Sequence, residues 1–165
     1  MNQLLEEFLA ARLAQYEVVF HPVAFTAQEQ ASTAHVSGWS WAKGVVVKKG
    51  DGYAMAVLPA CCLIDVGRLR GLIGRGEIEL ASVEEIRRIA PTCEPGGVPP
   101  FGELFGMPTF ADESIALCRD ITTPAGDLHT AIRMRTTDYL RLASARIGRF
   151  AIHEGMLATR VPGGP

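Results

Sequence analysis

Residues 43–59 read KGVVVKKGDGYAMAVLP, and they give the clearest structural signal in the chain. The β-branched run from Lys43 to Lys49 and the largely apolar run from Tyr53 to Pro59 are separated by Gly50-Asp51-Gly52. Two strand-like runs joined by a short glycine-rich turn predict a β-hairpin. We therefore expect antiparallel β-structure in the first half of the chain.

Helices are predicted on both sides of this hairpin from their start signals. Thr26-Ala27-Gln28-Glu29 and Ser82-Val83-Glu84-Glu85 both have the S/T-x-x-E form of a capping box. Asp65 can cap another helix, and leucines near the N-terminus recur at helical spacing. The predicted helices cover residues 2–15, 27–35, 66–72, 83–90 and 137–145, and the other predicted strands cover 17–21, 109–111, 115–118 and 130–134.

These elements predict the fold class and the domain organisation. Strands and helices are mixed without a strict β-α-β alternation, which predicts an α+β fold with a mixed sheet. The chain has 165 residues, a length that suits one compact domain. We assign residues 1–158 to that single domain and 159–165, which end in Pro-Gly-Gly-Pro, to a frayed C-terminal tail.

The composition predicts a soluble, cytoplasmic protein. Its net charge of −2 argues against binding nucleic acid through bulk positive charge, although a local basic patch is compatible with it. The longest apolar runs, such as 54–64, are shorter than the ~20 residues of a membrane span, and the first residues lack the basic start of a secretory signal. The four cysteines form no CxxC pair and the four histidines show no ligand spacing, so we expect neither a metal nor a cofactor.

Residues 91–108 contain nine glycines and prolines and are predicted to form one ordered loop. Too little chain follows for a second domain, which favours a functional loop over a linker. Glycines allow the backbone to approach a ligand, and Pro99 and Pro100 would stiffen the loop so that its amide groups point in fixed directions. Oriented amides are what an oxyanion or a bound carbonyl oxygen requires. A purely structural turn remains the alternative.

Four side chains could act near this loop. Lys43 begins an apolar strand and could bind a phosphate or a carbonyl oxygen, but a surface lysine that reaches solvent gives the same pattern. Asp112 could supply a carboxylate, and His21 could equally be a packed histidine at a strand end. His129 follows Gly126-Asp127 and could enter the same cleft. Neither a Walker phosphate loop nor a G-x-S-x-G nucleophile motif is present.

Several segments occur in a definite order over residues 15–145. They are His21 followed by Thr26-Ala27-Gln28-Glu29-Gln30-Ala31, the strand Ala42-Lys43-Gly44-Val45-Val46-Val47, the loop Gly96-Gly97-Val98-Pro99-Pro100-Phe101-Gly102, then Pro108-Thr109-Phe110-Ala111-Asp112 and Ala125-Gly126. In this order they resemble the YbaK/EbsC family, the aminoacyl-tRNA deacylase domain that also occurs as the editing insert of bacterial prolyl-tRNA synthetases. The strand matches the lysine-bearing strand of the family, and the loop matches its GxxxP loop.

The resemblance implies a trans-editing hydrolase, which cleaves the ester bond of a mischarged aminoacyl-tRNA and frees the amino acid and the tRNA. Lys43 would engage the terminal nucleotide or the carbonyl, and the Gly96 and Gly97 amides would contact the aminoacyl carbonyl. A hydroxyl of the terminal ribose would help to activate the water, without a metal. We expect the substrate-binding residues to be His21, Thr26, Pro100, Phe101, Asp112, Gly126 and His129, of which His129 is assigned from its position after Gly126-Asp127.

The same resemblance carries expectations about architecture and partners. It implies a mostly antiparallel, barrel-like sheet surrounded by helices. The partner would be the 3′ aminoacyl end of a mischarged tRNA, with an aminoacyl-tRNA synthetase as a further candidate. Two departures leave the amino acid open: the alanyl-specific branch carries Asn where Gly44 stands, and the cysteinyl-type branch carries Asp where we align Ala131. A non-catalytic tRNA- or nucleotide-binding module and a hydrolase of small activated esters are the alternative functions.

Overall fold

A five-stranded mixed sheet forms the centre of the protein, and the predicted hairpin is its core. The computed structural model describes residues 1–74 and 76–157. In the hairpin Ala42 pairs with Pro59 and Lys49 pairs with Gly52 in one antiparallel register. The strands are β1 Glu17–Phe20, β2 Ala42–Lys49, β3 Gly52–Pro59, β4 Cys62–Ile64, β5 Ile78–Leu80, β6 Thr109–Asp112, β7 Asp120–Pro124, β8 Thr130–Arg135, β9 Arg146–Gly148 and β10 Ala151–His153.

The strands are arranged in three sheets. The large sheet has the order β5-β2-β3-β6-β9, in which β3, β6 and β9 run parallel, and the others are the antiparallel sheet β1-β8-β7 and the pair β10-β4. The α+β class and the mixed, mostly antiparallel pairing are thereby confirmed. The barrel-like closure is wrong for residues 1–74 and 76–157, since β2 and β7 diverge after a single parallel bridge between Trp41 and Thr122.

This divergence leaves part of β2 without a second strand neighbour. β5 pairs only with Val47, Lys48 and Lys49, whereas β3 pairs with the full length of β2. The stretch of β2 that carries Lys43 and Gly44 therefore has one edge that the sheet leaves open. Loops from the second half of the chain pack here, and this is where the candidate site lies.

The capping signals are confirmed in atomic detail. Thr26 Oγ1 accepts from the Glu29 amide while the Glu29 carboxylate accepts from the Thr26 amide, and Ser82 and Glu85 repeat this arrangement. The helices are α1 Gln3–Ala11, α2 Ala27–Thr33, α3 Val66–Ile73, α4 Val83–Ile89, α5 Thr136–Leu142 and α6 Glu154–Leu157, with 3-10 turns at Gly102–Phe105 and Ile115–Leu117.

Two predicted boundaries and one predicted strand are corrected. Helix α1 ends before residue 15 and α2 before residue 35, because Leu13 and His35 adopt positive φ of 51° and 55°. The strand predicted at 115–118 is wrong. Asp112 accepts from the Ser114 amide at 2.9 Å and turns the chain out of β6 into a 3-10 turn.

The main core lies between the large sheet and helices α1 and α5. Phe101 is fully buried between the rings of Phe8 and Tyr139, at centroid distances of 5.6 and 5.1 Å. The Tyr139 hydroxyl donates to the Pro100 carbonyl at 2.6 Å, and burial raises the pKa of Tyr139 far above its ordinary value, so this donor stays protonated. The core therefore fixes the loop that follows Gly97.

Two sequence-based predictions concern parts of the chain outside this description. The boundary at residue 158 and the tail at 159–165 lie beyond the described residues.

Over the ranges 1–74 and 76–157, none of the helices has the length and apolar character that crossing a membrane demands.

Candidate active site

Lys43 lies on the open edge of β2 with its side chain half-buried. Its Nζ donates to the Ala60 carbonyl at 3.3 Å. Burial lowers the pKa of Lys43 below the ordinary lysine value, and the charge of Glu154 opposes this effect. The nearby Cys62 thiol stays neutral because burial raises its pKa to about 12. A negatively charged ligand beside Lys43 would favour the ammonium form and raise this pKa again.

A small cavity of about 70 Å³ adjoins the stem of Lys43. Gly44 shapes it, because a Cβ at this position would lie 2.7 Å from Met55 Sδ and 3.2 Å from Pro100 Cβ. The missing side chain lets the proline-containing loop approach β2 closely. The other lining residues are Ala27, Gln30, Trp41, Val46, Ile86, Gly96, Val98 and Pro124.

The glycine pair in the loop leaves no space for side chains. Gly96 has φ of +88°, and a Cβ there would lie 2.8 Å from the Phe25 carbonyl oxygen. A Cβ on Gly97 would lie 2.6 Å from the Asp127 carbonyl oxygen. Both contacts are with backbone, which cannot rotate away. These positions therefore depend on glycine for backbone conformation and for close approach.

Some backbone amides of this loop donate hydrogen bonds within the protein, and others have no acceptor among the described residues. The Gly97 amide donates to the Glu94 carbonyl at 2.8 Å. No described residue accepts a hydrogen bond from the amides of Gly96 or Val98, two residues that line the cavity. The donor that the resemblance assigned to Gly97 is thus used inside the loop. Gly96 and Val98 hold the free donors, and the catalytic role of Gly97 stays a prediction.

Gly126 and Glu94 clamp the loop from the opposite side. The Gly126 amide donates to the Gly97 carbonyl at 2.7 Å, and the Glu94 amide donates to the Gly126 carbonyl at 2.9 Å. Gly126 has φ of +112° and packs against Asn2, so no side chain fits. The Glu94 carboxylate also accepts from the Leu128 amide at 2.8 Å. Gly126 therefore lies beside the glycine pair, and its contact with the substrate stays a prediction.

Three other predicted substrate residues support the loop and its neighbouring helix. Pro100 and Phe101 face the core through the contacts with Tyr139 described above. Thr26 is exposed and caps α2, whose first residue Ala27 lines the cavity. Direct contact of these residues with the substrate stays a prediction.

The two histidines occupy different environments. His21 is buried, packs edge-on against Trp41 at a centroid distance of 5.6 Å, and donates from Nδ1 to the Pro22 carbonyl at 2.8 Å. His129 is half exposed, with Nδ1 lying 3.3 Å from the Asp127 carboxylate. Neither ring lines the cavity, but the His21 amide donates to the His129 carbonyl at 3.0 Å and joins their strands.

Asp112 lies in a separate, larger cleft of about 640 Å³. Its carboxylate accepts from the amides of Phe150 and Ala151, both at 2.7 Å, and from Ser114. Burial alone would raise its pKa, but these hydrogen bonds outweigh burial and lower the pKa of Asp112 below the ordinary value. The carboxylate thus anchors the chain after β9, and a place at the substrate stays a prediction.

Among the cavity residues that sequence reasoning missed, Gln30 and Trp41 carry polar side chains. Both are buried, and Gln30 Oε1 and Trp41 Nε1 are polar atoms without a hydrogen-bond partner among the described residues. A buried polar group left unpaired costs about 1–3 kcal/mol, so two on one cavity wall are informative. Their sequence positions gave only a weak signal, because a glutamine in a helix and a tryptophan before a strand are usually packing residues.

The described residues offer no grouping of metal-binding side chains. Over residues 1–74 and 76–157, no cluster of three or more His, Cys, Asp or Glu side chains has the proximity to hold an ion. The residues that line the cavity carry a lysine amine, two amides that no described residue accepts from, and two unpaired buried polar atoms.

The site can be compared with those of known proteins. The model of the "Aminoacyl-tRNA editing domain" family matches residues 21–142, which include Lys43, the glycine loop and every lining residue of the cavity. The "Multifunctional Ser/Thr-tRNA deacylase ProXp-y" of Escherichia coli K12 is 29% identical over 154 residues, spanning 90% of this chain and 92% of that protein.

Solved structures share the fold. The "hypothetical protein APE2540" superposes with a TM-score of 0.81 at 18% identity, over 91% of this chain and 100% of the other. A "putative trans-editing enzyme for prolyl tRNA synthetase" gives a TM-score of 0.81 at 23% identity, over 91% of this chain and 96% of the other. The match of the family model to most of the chain confirms the resemblance found in the sequence. The protein belongs to the aminoacyl-tRNA editing domain family.

Proposed function

We propose that this protein is a trans-acting aminoacyl-tRNA deacylase, which hydrolyses the ester bond between a wrong amino acid and the 3′ end of its tRNA. The observation that carries the proposal is the convergence of Lys43 with the free Gly96 and Val98 amides on one small cavity. The family match and the name of the 29% identical relative support the same reaction.

The cavity suits the acyl half of such a substrate. The amino-acid side chain enters the 70 Å³ space, which places the ester carbonyl beside the loop. The amides of Gly96 and Val98 donate to the carbonyl oxygen and stabilise the negative charge that develops when water attacks the carbonyl carbon. One such donor is worth ~2.7–4 kcal/mol in other enzymes, or a factor of 10²–10³ in rate.

Lys43 supports the reaction from the edge of the cavity. In this proposal its ammonium leaves the Ala60 carbonyl and binds a terminal phosphate or the carbonyl oxygen of the substrate. When the tetrahedral intermediate collapses, the bond from the carbonyl carbon to the ribose oxygen breaks. The ribose oxygen takes up a proton, and the products are the free amino acid and the uncharged tRNA. A ribose hydroxyl of the substrate is the group that we expect to orient the water.

The need for such an enzyme follows from the limits of a synthetase pocket. One methylene group changes binding by only ~1–3 kcal/mol, so similar small amino acids are charged in error at appreciable rates. A second site that admits only small side chains removes these errors. We propose the mischarged tRNA as the partner, a synthetase as a further candidate, the cytoplasm as the location, and residues 1–158 as the single functional domain.

Deacylation of a panel of charged tRNAs tests the proposal. The panel contains seryl-, threonyl-, alanyl-, cysteinyl- and prolyl-tRNA, and the release of amino acid is measured. We expect release from one or two members, a loss of 100-fold or more in Lys43→Ala, and no loss in Lys48→Ala. Lys48 is a matched control because it lies on the same strand and pairs with Glu85 on the surface at 3.1 Å.

The alternatives predict other outcomes. Silence across the panel with tRNA binding intact would favour a non-catalytic tRNA- or nucleotide-binding module. Equal cleavage of a small activated ester and of charged tRNA would favour a general ester hydrolase.

A further inference from the structure

We propose that the larger cleft, of about 640 Å³, holds the base of the terminal nucleotide of the tRNA, stacked on the exposed indole ring of Trp39. This inference rests on the proposed deacylase function, and it adds a nucleotide site to the acyl cavity. It starts from an aromatic pair in the wall of the cleft. The rings of Trp39 and His153 are stacked, with 5.0 Å between their centroids and 12° between their planes.

Trp39 is fixed by its neighbours and yet remains open to the cleft. His153 covers one face of the indole, while 45% of Trp39 stays exposed. The Trp39 carbonyl accepts from the Cys118 thiol at 3.4 Å, and the Trp39 amide donates to Ser37 Oγ at 3.3 Å. Leu117, which precedes Cys118, is 86% exposed and lines the same cleft. Large apolar side chains left exposed together at a cleft mark an interaction site.

His153 is held just as firmly behind the indole. Its strand β10 pairs with β4, where His153 lies opposite Cys62. Its Nδ1 accepts from the Gly155 amide at 3.2 Å, which fixes the orientation of the ring. A platform that is already rigid loses little conformational freedom when a ligand stacks on it.

The segment Ala60-Cys61-Cys62 connects this aromatic pair with Lys43. The Ala60 carbonyl accepts from Lys43 Nζ at 3.3 Å, and Cys62 pairs with His153. Two residues of a chain extend by at most about 7 Å, so the amine and the aromatic pair lie at the two ends of one short segment. A single nucleotide can therefore place its phosphate at Lys43 and its base on Trp39.

The charged groups of the cleft leave the binding of a ligand to the aromatic rings. Arg68 lies 3.4 Å from Asp65, and Arg149 lies 3.4 Å from Glu113. The Asp112 carboxylate is engaged by two backbone amides. Because these charges are paired within the protein, the cleft suits an uncharged base better than a phosphate group. Its volume lies within the ~300–1,000 Å³ of pockets that hold small ligands.

Part of the cleft lies outside the segment that the family model matches. That match ends at residue 142, whereas Arg149 and residues 151–153 line the cleft from β10 and from the turn before it. The nucleotide site thus depends on a strand that this chain adds after the matched segment.

The first test measures tryptophan fluorescence of the full-length protein with the RNA trinucleotide CCA, which has the sequence of the 3′ end of tRNA. The chain has two tryptophans, and Trp41 is fully buried, so quenching by a stacked base reports on Trp39. We expect saturable quenching by CCA and none by ribose 5-phosphate, which lacks a base. In Trp39→Phe, CCA should leave the remaining fluorescence unchanged.

The second test measures the release of amino acid from charged tRNA. Trp39→Ala removes one base–aromatic stack, so we expect KM to rise about tenfold while kcat stays within about twofold of the wild-type value. Trp39→Tyr keeps a ring on which the base can stack and should restore KM. Phe20→Ala is the matched control, since Phe20 is 74% exposed on β1 and lines neither the cleft nor the cavity. Thermal unfolding shows whether each variant is folded.

The outcomes separate this inference from the proposed function. Release of amino acid without quenching by CCA, or with an unchanged KM in Trp39→Ala, would overturn the inference and leave the deacylase function intact. A folded Trp39→Ala protein that loses kcat at an unchanged KM would show a structural role and would also overturn it. Quenching by CCA without release from any charged tRNA would support the base site and overturn the deacylase function.

Discussion

Replacing Gly97 by alanine adds one methyl group at a tightly packed point of the loop at residues 91–108, which we call the catalytic loop. That methyl would lie 2.6, 2.8 and 2.9 Å from the O, C and Cα atoms of Asp127. All three are backbone atoms, so the segment around Asp127 must move by several tenths of an ångström. The movement would strain the hydrogen bond from the Gly126 amide to the Gly97 carbonyl, which is 2.7 Å long.

The magnitude follows from these contacts. Overpacking at a rigid site costs ~1–3 kcal/mol, which lowers Tm by about 3–10 °C in a domain of this size. A displacement approaching 1 Å in a group that positions the substrate can reduce the rate about 100-fold. We therefore expect Gly97→Ala to lower both Tm and kcat/KM for charged tRNA. The measurements are thermal unfolding followed by circular dichroism and release of amino acid from charged tRNA.

Gly71→Ala provides the matched control. Gly71 lies in α3, and a Cβ there would meet no atom within 4 Å. Alanine in an unobstructed helical position stabilises by ~0.4–1 kcal/mol, so this variant should unfold slightly later and keep its activity. A Gly97→Ala protein with wild-type Tm and wild-type kcat/KM would refute the view that the loop is a rigid template.

Three further predictions follow from hydrogen bonds and charge at named groups. Lys43→Met should abolish deacylation and raise Tm at neutral pH, because the pKa of Lys43 is lowered on folding and protonation therefore opposes folding. For the same reason, the stability of the wild-type protein should rise as the pH approaches the unfolded lysine value near 10.5. Asp112→Asn should cost about 2–3 kcal/mol in urea unfolding, since the Phe150 amide depends on this carboxylate. The pKa of Asp112 is lowered on folding, so wild-type stability should be present above about pH 4, be lost as pH falls below that range, and depend less on pH in the variant. Tyr139→Phe should cost about 1–2 kcal/mol and reduce kcat, because the buried Pro100 carbonyl loses its donor; an unchanged kcat would show that the core does not fix the loop.

Elements defined by local signals could be predicted from the sequence. Both capping boxes and the hairpin at residues 43–59 depend on side chains a few positions apart, and all three are present as predicted. The strands that were missed have three to five residues and pair with distant partners, as when β4 pairs with β10. No local pattern contains that information, because such a short strand is stabilised only by the neighbour it finds.

In the candidate site, too, the features defined by a local motif could be predicted, and the features created by tertiary packing could not. Lys43 and the glycine loop were found through their motif, and the structure places both beside one cavity. The occupied state of the Gly97 amide could not be predicted, because it depends on how the chain folds back from Glu94. Gln30 and Trp41 were missed because an unpaired atom exists only after helix α2 and strand β2 have packed together.

A site that selects amino acids by the size of their side chains needs a rigid cavity wall. Three hydrogen bonds from separate elements hold the catalytic loop: Tyr139 to Pro100, Gly126 to Gly97, and Gln30 to Gly96. Each bond engages a backbone carbonyl, so each fixes the main chain and thereby the direction of the neighbouring amide donors. Because Gln30 belongs to helix α2, its bond to the Gly96 carbonyl couples the position of that helix to the placement of the neighbouring amide donors.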